Sequence, residues 1–107
     1  TADPELIEQV LINLLRNAYK AVNGQKEAKI ELNARLDERG RIIIQVQDNG
    51  PGIPEENLEK IFVPFFSTKE GGTGIGLSLS RQIMRLHRGG ISVHSVPYVQ
   101  TVVTLLF

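Results

Sequence analysis

Apolar residues recur at three- and four-residue steps along the start of the chain, and this spacing predicts an amphipathic helix of about five turns. Asp3 is placed to cap this helix, Pro4 and Glu5 suit its first turn, and Asn23-Gly24 supplies a stop. We expect its buried face to consist of the apolar positions Ile7, Val10, Leu11, Leu14, Leu15, Ala18, Ala21 and Val22.

Two pairs of strands are predicted downstream of this helix. Residues 29–36 and 41–47 alternate or run apolar with β-branched content, and turn residues separate them, which predicts an antiparallel hairpin. Residues 91–96 and 101–107 form the second predicted pair, with a turn around Pro97 between them.

The segment between the two pairs leaves the sheet and returns to it through a second helix. Residues 48–54 hold two glycines and two prolines, and Pro54 then begins a short helix. The apolar residues in 61–74 follow neither the helical nor the strand spacing, which is typical of a loop that acts as a lid. A second helix is predicted from about Gly74 to Leu86, and its apolar face consists of Ile75, Leu79, Ile83, Met84 and Leu86.

This order of elements predicts an α+β fold, a two-layer α/β sandwich whose mixed, mostly antiparallel sheet carries the helices on one face. The length of 107 residues fits a single domain. Since the strands come in hairpins, a parallel doubly wound sheet is not expected.

The composition excludes several kinds of partner and of chemical site. Twelve basic and twelve acidic residues leave no net charge, so we expect neither nucleic acid nor a membrane surface as a partner. The absence of cysteine excludes disulfides, thiol nucleophiles and cysteine metal sites, and it suits a reducing compartment. No apolar run approaches the roughly 20 residues of a membrane helix, so a cytoplasmic location is expected, although a larger parent protein could be anchored in an inner membrane.

Three polar residues of the first helix form the first candidate site. Asn13, Asn17 and Lys20 fall within an arc of roughly 60° beside the apolar stripe. An asparagine carbonyl oxygen suits Mg²⁺, which binds through one or two protein oxygens plus substrate phosphates, and Lys20 would add a cation near those phosphates. The alternative is an ordinary solvent-facing set of polar residues.

The second candidate is Asp48, which follows a predicted strand and precedes Gly50 and Gly52. A carboxylate can accept a hydrogen bond from an exocyclic amine, while glycine backbone lets a flat base approach, and this pairing suits adenine. A simple strand-ending turn would show the same Asn-Gly signal.

The third candidate is the glycine cluster of residues 71–77, which lies where the lid becomes a helix and where free N–H groups could face phosphates. A phosphate-binding P-loop would need lysine and then serine or threonine after its last glycine, but Leu77 and Ser78 follow Gly76. A dinucleotide fingerprint would need glycine at position 77. A flexible hinge remains the alternative.

Four segments in this order form a more specific pattern than any one of them: LINLLRNAYKA at 11–21, DNGPGI at 48–53, FVPFFSTK at 62–69 and GTGIGL at 72–77. They resemble the N box, the first glycine box, the F box and the second glycine box of the ATPase superfamily shared by sensor histidine kinases, gyrase-type topoisomerases, mismatch-repair ATPases and certain chaperones. The third segment, at 62–69, resembles the F box that is found in the histidine kinase branch. The resemblance covers nearly the whole chain and implies the Bergerat ATP-binding fold.

The resemblance also implies roles for individual residues. Asn17 would bind Mg²⁺, Asn13 and Lys20 would help to hold the phosphates of ATP, and Asp48 would accept the adenine amino group. Lys69 would reach a phosphate from the lid, and Phe62 with its neighbouring aromatic residues would anchor that lid. The pocket would be shaped by Gly50, Gly52, Ile53, Gly72, Thr73, Gly74, Ile75, Gly76 and Leu77.

The residue at position 13 bears on the type of reaction. Members of the superfamily that hydrolyse ATP or phosphorylate serine usually carry a glutamate four residues before the metal-binding asparagine, and here that residue is Asn13. A neutral amide cannot take a proton near pH 7, whereas a neutral histidine nucleophile already has a lone pair. The resemblance and Asn13 together favour phosphoryl transfer to histidine; an ATP-hydrolysing domain and a nucleotide-binding module without catalysis are the alternatives.

The resemblance also implies partners for this domain. The acceptor histidine would lie on a separate helical dimerisation domain, since neither His87 nor His94 has a fitting local setting. A response regulator would receive the phosphoryl group, and the parent would be a homodimer. Residues 1–107 would be the ATP-binding catalytic domain without the strand and helix that usually precede it. Residues 96–100, where the family places a glycine-rich turn, are not expected to belong to the nucleotide site.

Overall fold

The structure of the chain is a computed structural model that describes residues 3–58, 60–63 and 76–107. The elements in these residues, in chain order, are α1 (Pro4–Val22), β1 (Ile30–Leu36), β2 (Ile42–Asp48), a 3₁₀ turn (Glu55–Asn57), α2 (Gly76–Leu86), β3 (Gly90–Val96) and β4 (Gln100–Leu106). The predicted elements are confirmed, with ends that differ by one or two residues. Residues 74 and 75, predicted to open α2, lie outside the described residues.

The four strands form one sheet in the order β1-β2-β4-β3, and each of the three neighbouring pairs is antiparallel. β4 therefore lies between β2 and β3, and the connection from β2 to β3 crosses over the sheet through α2. The predicted α+β fold is confirmed.

Both helices pack on the same face of this sheet. The buried core draws on α1, β2, α2 and β4, and consists of Val10, Leu14, Ala18, Val46, Ile83, Met84 and Leu105. The N-terminus of α1 is capped as predicted, because Asp3 Oδ1 accepts hydrogen bonds from the backbone N–H groups of Glu5 at 3.0 Å and Leu6 at 3.4 Å.

Three residues of the predicted apolar faces are exposed: Leu15 of α1, at 37%, and Leu79 and Leu86 of α2. Leu86, assigned to the buried face of α2, is 75% exposed, whereas Ser80 is fully buried. At about 100° per residue Leu86 lies roughly 120° around the helix from Ser80, so it falls outside the stripe that faces the sheet. A polar residue occupies the centre of that stripe, and counting apolar residues alone shifts the predicted face.

Two contacts fix how α1 and α2 run past each other. The backbone N–H of Asp3, at the start of α1, donates to Nε2 of His87, which follows the end of α2, over 2.9 Å. Near the middle of both helices, Asn13 Nδ2 lies 3.5 Å from Ser80 Oγ and donates to it. The helices are therefore antiparallel, and the first turn of α2 lies toward the half of α1 that carries Asn17. None of the described helices is long and apolar enough to cross a membrane.

Candidate functional site

The polar edge of α1 lies beside its buried stripe, as its spacing predicts, and Asn13 within it contacts α2. Asn13 and Asn17 are half-buried and Lys20 is exposed. Asn13 contacts both its own helix and the neighbouring one, since its Oδ1 accepts from Gln9 Nε2 at 3.3 Å and its Nδ2 donates to Ser80 Oγ. These three residues therefore sit at the margin of the core rather than on a fully solvated face.

Asp48 is a buried carboxylate at the end of a central strand. It is the last residue of β2, pairs with Ile30 of β1 and Thr101 of β4, and is 6% exposed. Its Oδ1 accepts a hydrogen bond from the backbone N–H of Gly50 at 2.9 Å. Because a buried carboxylate is costly without hydrogen-bonding partners, this position marks a specific polar site within an apolar layer.

The glycine segment of residues 48–53 lies over the last turn of α1. A Cβ atom placed on Gly50 would come within 2.9 Å of Asp48 Oδ1 and 3.0 Å of the Cβ and the carbonyl oxygen of Ala21. Because Asn17 lies four residues before Ala21, about 6 Å along the helix axis, the glycine segment that begins at Asp48 lies near the Asn17 edge of α1.

Asn49 holds this segment against the loop that precedes β1, a role that the sequence did not indicate. Its Oδ1 accepts from the backbone N–H of Lys29 at 2.8 Å, and its Nδ2 donates to the carbonyl oxygen of Glu27 at 2.7 Å. Gln25 Nε2 also donates to the Asn49 carbonyl oxygen at 3.1 Å. The Asn-Gly pair gave the signal for a turn, but the partners of the side chain depend on the tertiary structure.

The turn between β3 and β4 contacts the same glycine segment, although residues 96–100 are far from it in sequence. The backbone N–H of Tyr98 donates to the carbonyl oxygen of Pro51 at 2.6 Å, and that of Ile53 donates to Ser95 Oγ at 2.7 Å. Gly52 adopts φ +77°, and a Cβ there would lie 2.9 Å from Pro97 Cα and Ser95 Oγ. Gly52 is thus required for close packing within the protein.

Part of the predicted phosphate-binding region lies outside the described residues: Lys69, Gly72, Thr73, Gly74 and Ile75. Gly76 is the first residue of α2, and Leu77 packs against the core. Phe62 at the start of the predicted F box is half-buried, and the Arg81 guanidinium carbon lies 5.3 Å from the centre of its ring. Phe62 therefore contacts α2, while residues 64–75, which hold the rest of the predicted F box and lid, lie outside the described residues.

The two histidines differ in their surroundings. Nδ1 of His87 lies 2.8 Å from the carbonyl oxygen of Ile83, and Nε2 accepts from Asp3, so both ring nitrogens have protein partners. This bonding requires the neutral tautomer that carries its proton on Nδ1. His94 lies exposed on β3. His87 therefore joins the ends of the two helices.

Asp37, whose pKa is lowered, lies outside this site. Asp37 closes the β1–β2 turn, and the hydrogen bond from the backbone N–H of Arg41 at 2.8 Å is the main cause that lowers its pKa, helped by the Arg41 side chain at 2.9 Å. Because Asp48 pairs with the first residue of β1 and Asp37 follows the last, the two carboxyl groups lie at opposite ends of the hairpin.

The donors around α1 suit a nucleotide-bound metal better than a metal held by protein alone. Among residues 3–58, 60–63 and 76–107, no group of three or more His, Cys, Asp or Glu side chains is placed to hold a metal ion. An amide oxygen such as that of Asn17 is a donor of the kind that Mg²⁺ takes when phosphates and water fill its other coordination positions.

The sequence profile of a family described as histidine kinase-, DNA gyrase B- and HSP90-like ATPases matches residues 2–107. The chain belongs to this family. Its sequence relatives and structural neighbours also confirm the resemblance to the ATP-binding catalytic domain of sensor histidine kinases.

Two curated relatives show how closely the chain matches proteins of this family. It is 42% identical over 105 residues to the signal transduction histidine-protein kinase AtoS of Escherichia coli (strain K12), a match that covers 98% of this chain and 17% of AtoS. It is 44% identical over 104 residues to the sensory histidine kinase/phosphatase NtrB of Salmonella typhimurium, covering 89% of this chain and 30% of NtrB. The chain therefore spans less than a third of the length of either relative.

Solved structures of the family share the fold. The catalytic domain of histidine kinase ThkA matches with a TM-score of 0.85 and 39% identity, covering 99% of this chain and 68% of that one. Full-length ShkA, solved in complex with AMPPNP, matches with a TM-score of 0.83 and 25% identity, covering 94% of this chain and 21% of ShkA. The four-stranded sheet with helices on one face is thus the fold of histidine kinase catalytic domains.

Proposed function

We propose that this chain binds Mg-ATP and transfers the γ-phosphoryl group to a histidine on a separate dimerisation domain, in two-component signal transduction. The observation that supports this proposal is the position of Asp48, a buried carboxylate whose hydrogen-bonding partner Gly50 packs against Ala21, four residues beyond Asn17 on α1. The adenine end and the phosphate end of one nucleotide could be held at these two places.

Asp48 and the glycine segment would bind the base. A carboxylate has about four lone-pair sites, so Asp48 can accept a hydrogen bond from the adenine amino group in addition to the one from Gly50. Gly50, Gly52 and Ile53 would form the wall against which the base lies. The wall is held by contacts to α1 and to the β3–β4 turn, which keeps its shape fixed before the nucleotide binds.

Asn17, Asn13 and Lys20 would hold the phosphate end. Asn17 would bind Mg²⁺, which when bound supplies positive charge to the phosphates and orients them. Lys20, exposed at the end of this polar edge, is free to turn toward the phosphates, and the amino end of α2 at Gly76 and Leu77 has a dipole of the favourable sign. We assign phosphate and pocket contacts also to Lys69, Gly72, Thr73, Gly74 and Ile75.

The side chains around Asn13 favour transfer to histidine over hydrolysis. Gln9 and Ser80, which are hydrogen-bonded to Asn13, are neutral, as is Asn13 itself. None of the three can take a proton from water near pH 7, so activation of a water molecule lacks a base at this position. A neutral histidine needs no such base, and the domain then has only to hold the reactants in line.

The partners follow from the proposed reaction. The acceptor histidine would lie on a helical dimerisation domain of the parent protein, which would act as a homodimer and pass the phosphoryl group to a response regulator. The names of AtoS and NtrB support a kinase role for such longer proteins. We place the domain in the cytoplasm, where ATP is available.

A phosphorylation assay tests the proposal. A parent polypeptide that contains this chain and the helical histidine domain is incubated with γ-labelled ATP and Mg²⁺, and acid-labile label is expected on the histidine. Asn17→Ala should abolish the label, while Asn33→Ala, the same change at an exposed position of the edge strand β1, should retain it. Steady ATP hydrolysis that survives Asn13→Ala, without any labelled histidine, would contradict the proposal and favour a hydrolase.

A further inference from the structure

We propose that Ser95, on β3, is a positioning residue for nucleotide binding, and that its hydroxyl sets the place of Ile53 in the wall facing the base. The inference rests on the proposed function, since it concerns the same nucleotide site. Ser95 does not itself touch the nucleotide; it acts through the backbone of the glycine segment.

The hydroxyl of Ser95 has its hydrogen-bonding capacity divided between two segments. Its Oγ accepts from the backbone N–H of Ile53 at 2.7 Å and donates to the carbonyl oxygen of Gln100 at 3.3 Å. A hydroxyl has one proton, and the bond to Gln100 directs that proton toward the β3–β4 turn. A lone pair is then directed at Ile53, so the turn fixes the orientation of the acceptor.

Ser95 belongs to a row of polar residues that crosses the sheet and ends at the base-binding carboxylate. Thr101 pairs with Ser95 on one side and with Asp48 on the other, and its Oγ1 lies 3.4 Å from Ser95 Oγ. Asp48 and Thr101 are both buried. The acceptor for Ile53 is thus tied to the same rigid sheet as the carboxylate that would read the adenine amine.

The glycine segment is held at both of its ends by this row. Asp48 holds the N–H of Gly50, and Ser95 holds the N–H of Ile53. Between these two points, Tyr98 holds the carbonyl oxygen of Pro51, and Gly52 fits against the turn without room for a Cβ. Removal of the Ser95 hydroxyl would release one end of the segment while leaving the carboxylate in place.

The consequence for binding is a loss of preorganisation. The half-buried N–H of Ile53 would have to find water or move, and the wall would then be ordered by the nucleotide at a cost in affinity. From the value of one hydrogen bond we expect roughly three- to tenfold weaker binding of ADP.

Titration calorimetry with ADP and Mg²⁺ on three variants of the chain tests this inference. Ser95→Ala removes the hydroxyl, and Ser95→Cys replaces it with a sulfur that is a weak acceptor of nearly the same shape. Ser92→Ala is the matched control, since Ser92 lies exposed on the same strand. Both Ser95 variants should bind ADP roughly three- to tenfold more weakly, while Ser92→Ala should bind like the wild type.

A second measurement separates positioning from a merely structural role. In the labelling assay with the parent polypeptide, the KM for ATP should rise by the same factor in Ser95→Cys, while kcat should stay within about twofold. Wild-type affinity in a folded Ser95→Ala or Ser95→Cys variant would overturn the inference alone. Absence of ADP binding by the wild-type chain would instead overturn the proposed function and the inference with it.

Discussion

Gly52 and Pro97 are packed so closely that a Cβ on Gly52 would lie 2.9 Å from the Cα of Pro97. Real Cβ atoms do not approach backbone carbon atoms to this distance, and Gly52 also has φ +77°, a region that disfavours residues with a side chain. The glycine segment and the β3–β4 turn therefore cannot keep their present contact with any other residue at position 52.

Gly52→Ala should lower the free energy of unfolding by roughly 2–4 kcal/mol, because the strain of a positive φ and the clash with Pro97 add. Gly40→Ala is the matched control. Gly40 has φ +79° but open space around its Cβ position, so it should cost only about 1 kcal/mol. Urea unfolding measures the free energy of unfolding of both variants. Equal losses of stability would show that the clash between position 52 and Pro97 is relieved without cost.

Asp48→Asn should weaken ADP binding at least about tenfold, about 1.4 kcal/mol. The amide NH₂ of asparagine would face the adenine amino group, so that two donors meet where a carboxylate accepted. Asp37→Asn makes the same chemical change at the far end of the hairpin and should leave ADP affinity unchanged. Calorimetry measures the ADP affinity of both variants. Unchanged affinity in Asp48→Asn would rule out a role for Asp48 in base recognition.

Tyr98→Gly should raise the free energy of unfolding by up to about 1 kcal/mol. Tyr98 adopts φ +65° although it carries a side chain, and that side chain is 90% exposed, so little packing is lost. Val99→Gly, one residue further in the same turn and without a positive φ, should instead lower it by roughly 0.5–1 kcal/mol. Chemical unfolding of the two variants should show changes in the free energy of unfolding of opposite sign. Changes of the same sign would contradict the strain assigned to Tyr98.

Stability should fall in acid partly through Asp37. The Arg41 backbone N–H and side chain hold the folded-state pKa of Asp37 below its ordinary value of 3.8. The stabilisation is therefore fully present above that ordinary value and is lost as the pH falls through the lowered folded-state pKa. Asp37→Asn should be less stable than the wild type near pH 7, and the difference should shrink below about pH 4. A constant difference across this range would contradict the assignment.

The elements were predictable because their signals are local. The cap at Asp3, the three- and four-residue spacing of α1 and the alternation along β2 each depend on neighbours within one or two turns. Asp48 and Asn17 were proposed as site residues from local pattern and resemblance, and the structure places the glycine segment that begins at Asp48 against Ala21, four residues beyond Asn17.

The parts that sequence alone missed depend on contacts distant in sequence. Ser95 and Ile53 are 42 residues apart, and only the antiparallel pairing of β3 with β4 brings the turn onto the glycine segment. Asn49 carried a turn signal, but its partners in residues 25–29 follow from where α1 ends. The apolar pattern does not include Ser80, because its burial depends on a hydrogen bond from Asn13, which is 67 residues away in sequence. This bond lets a polar residue occupy the core.

The central place of β4 has a consequence for the order in which the domain is made. Asp48 meets Thr101 only when residues 100–106 insert between β2 and β3, so one side of β2 stays unpaired during synthesis of the preceding residues. Pairings of such long sequence separation form late and slowly. Assembly of the buried environment of Asp48 is thereby coupled to completion of the chain through β4, and a nascent polypeptide that stops short of this strand would present an open sheet edge to chaperones.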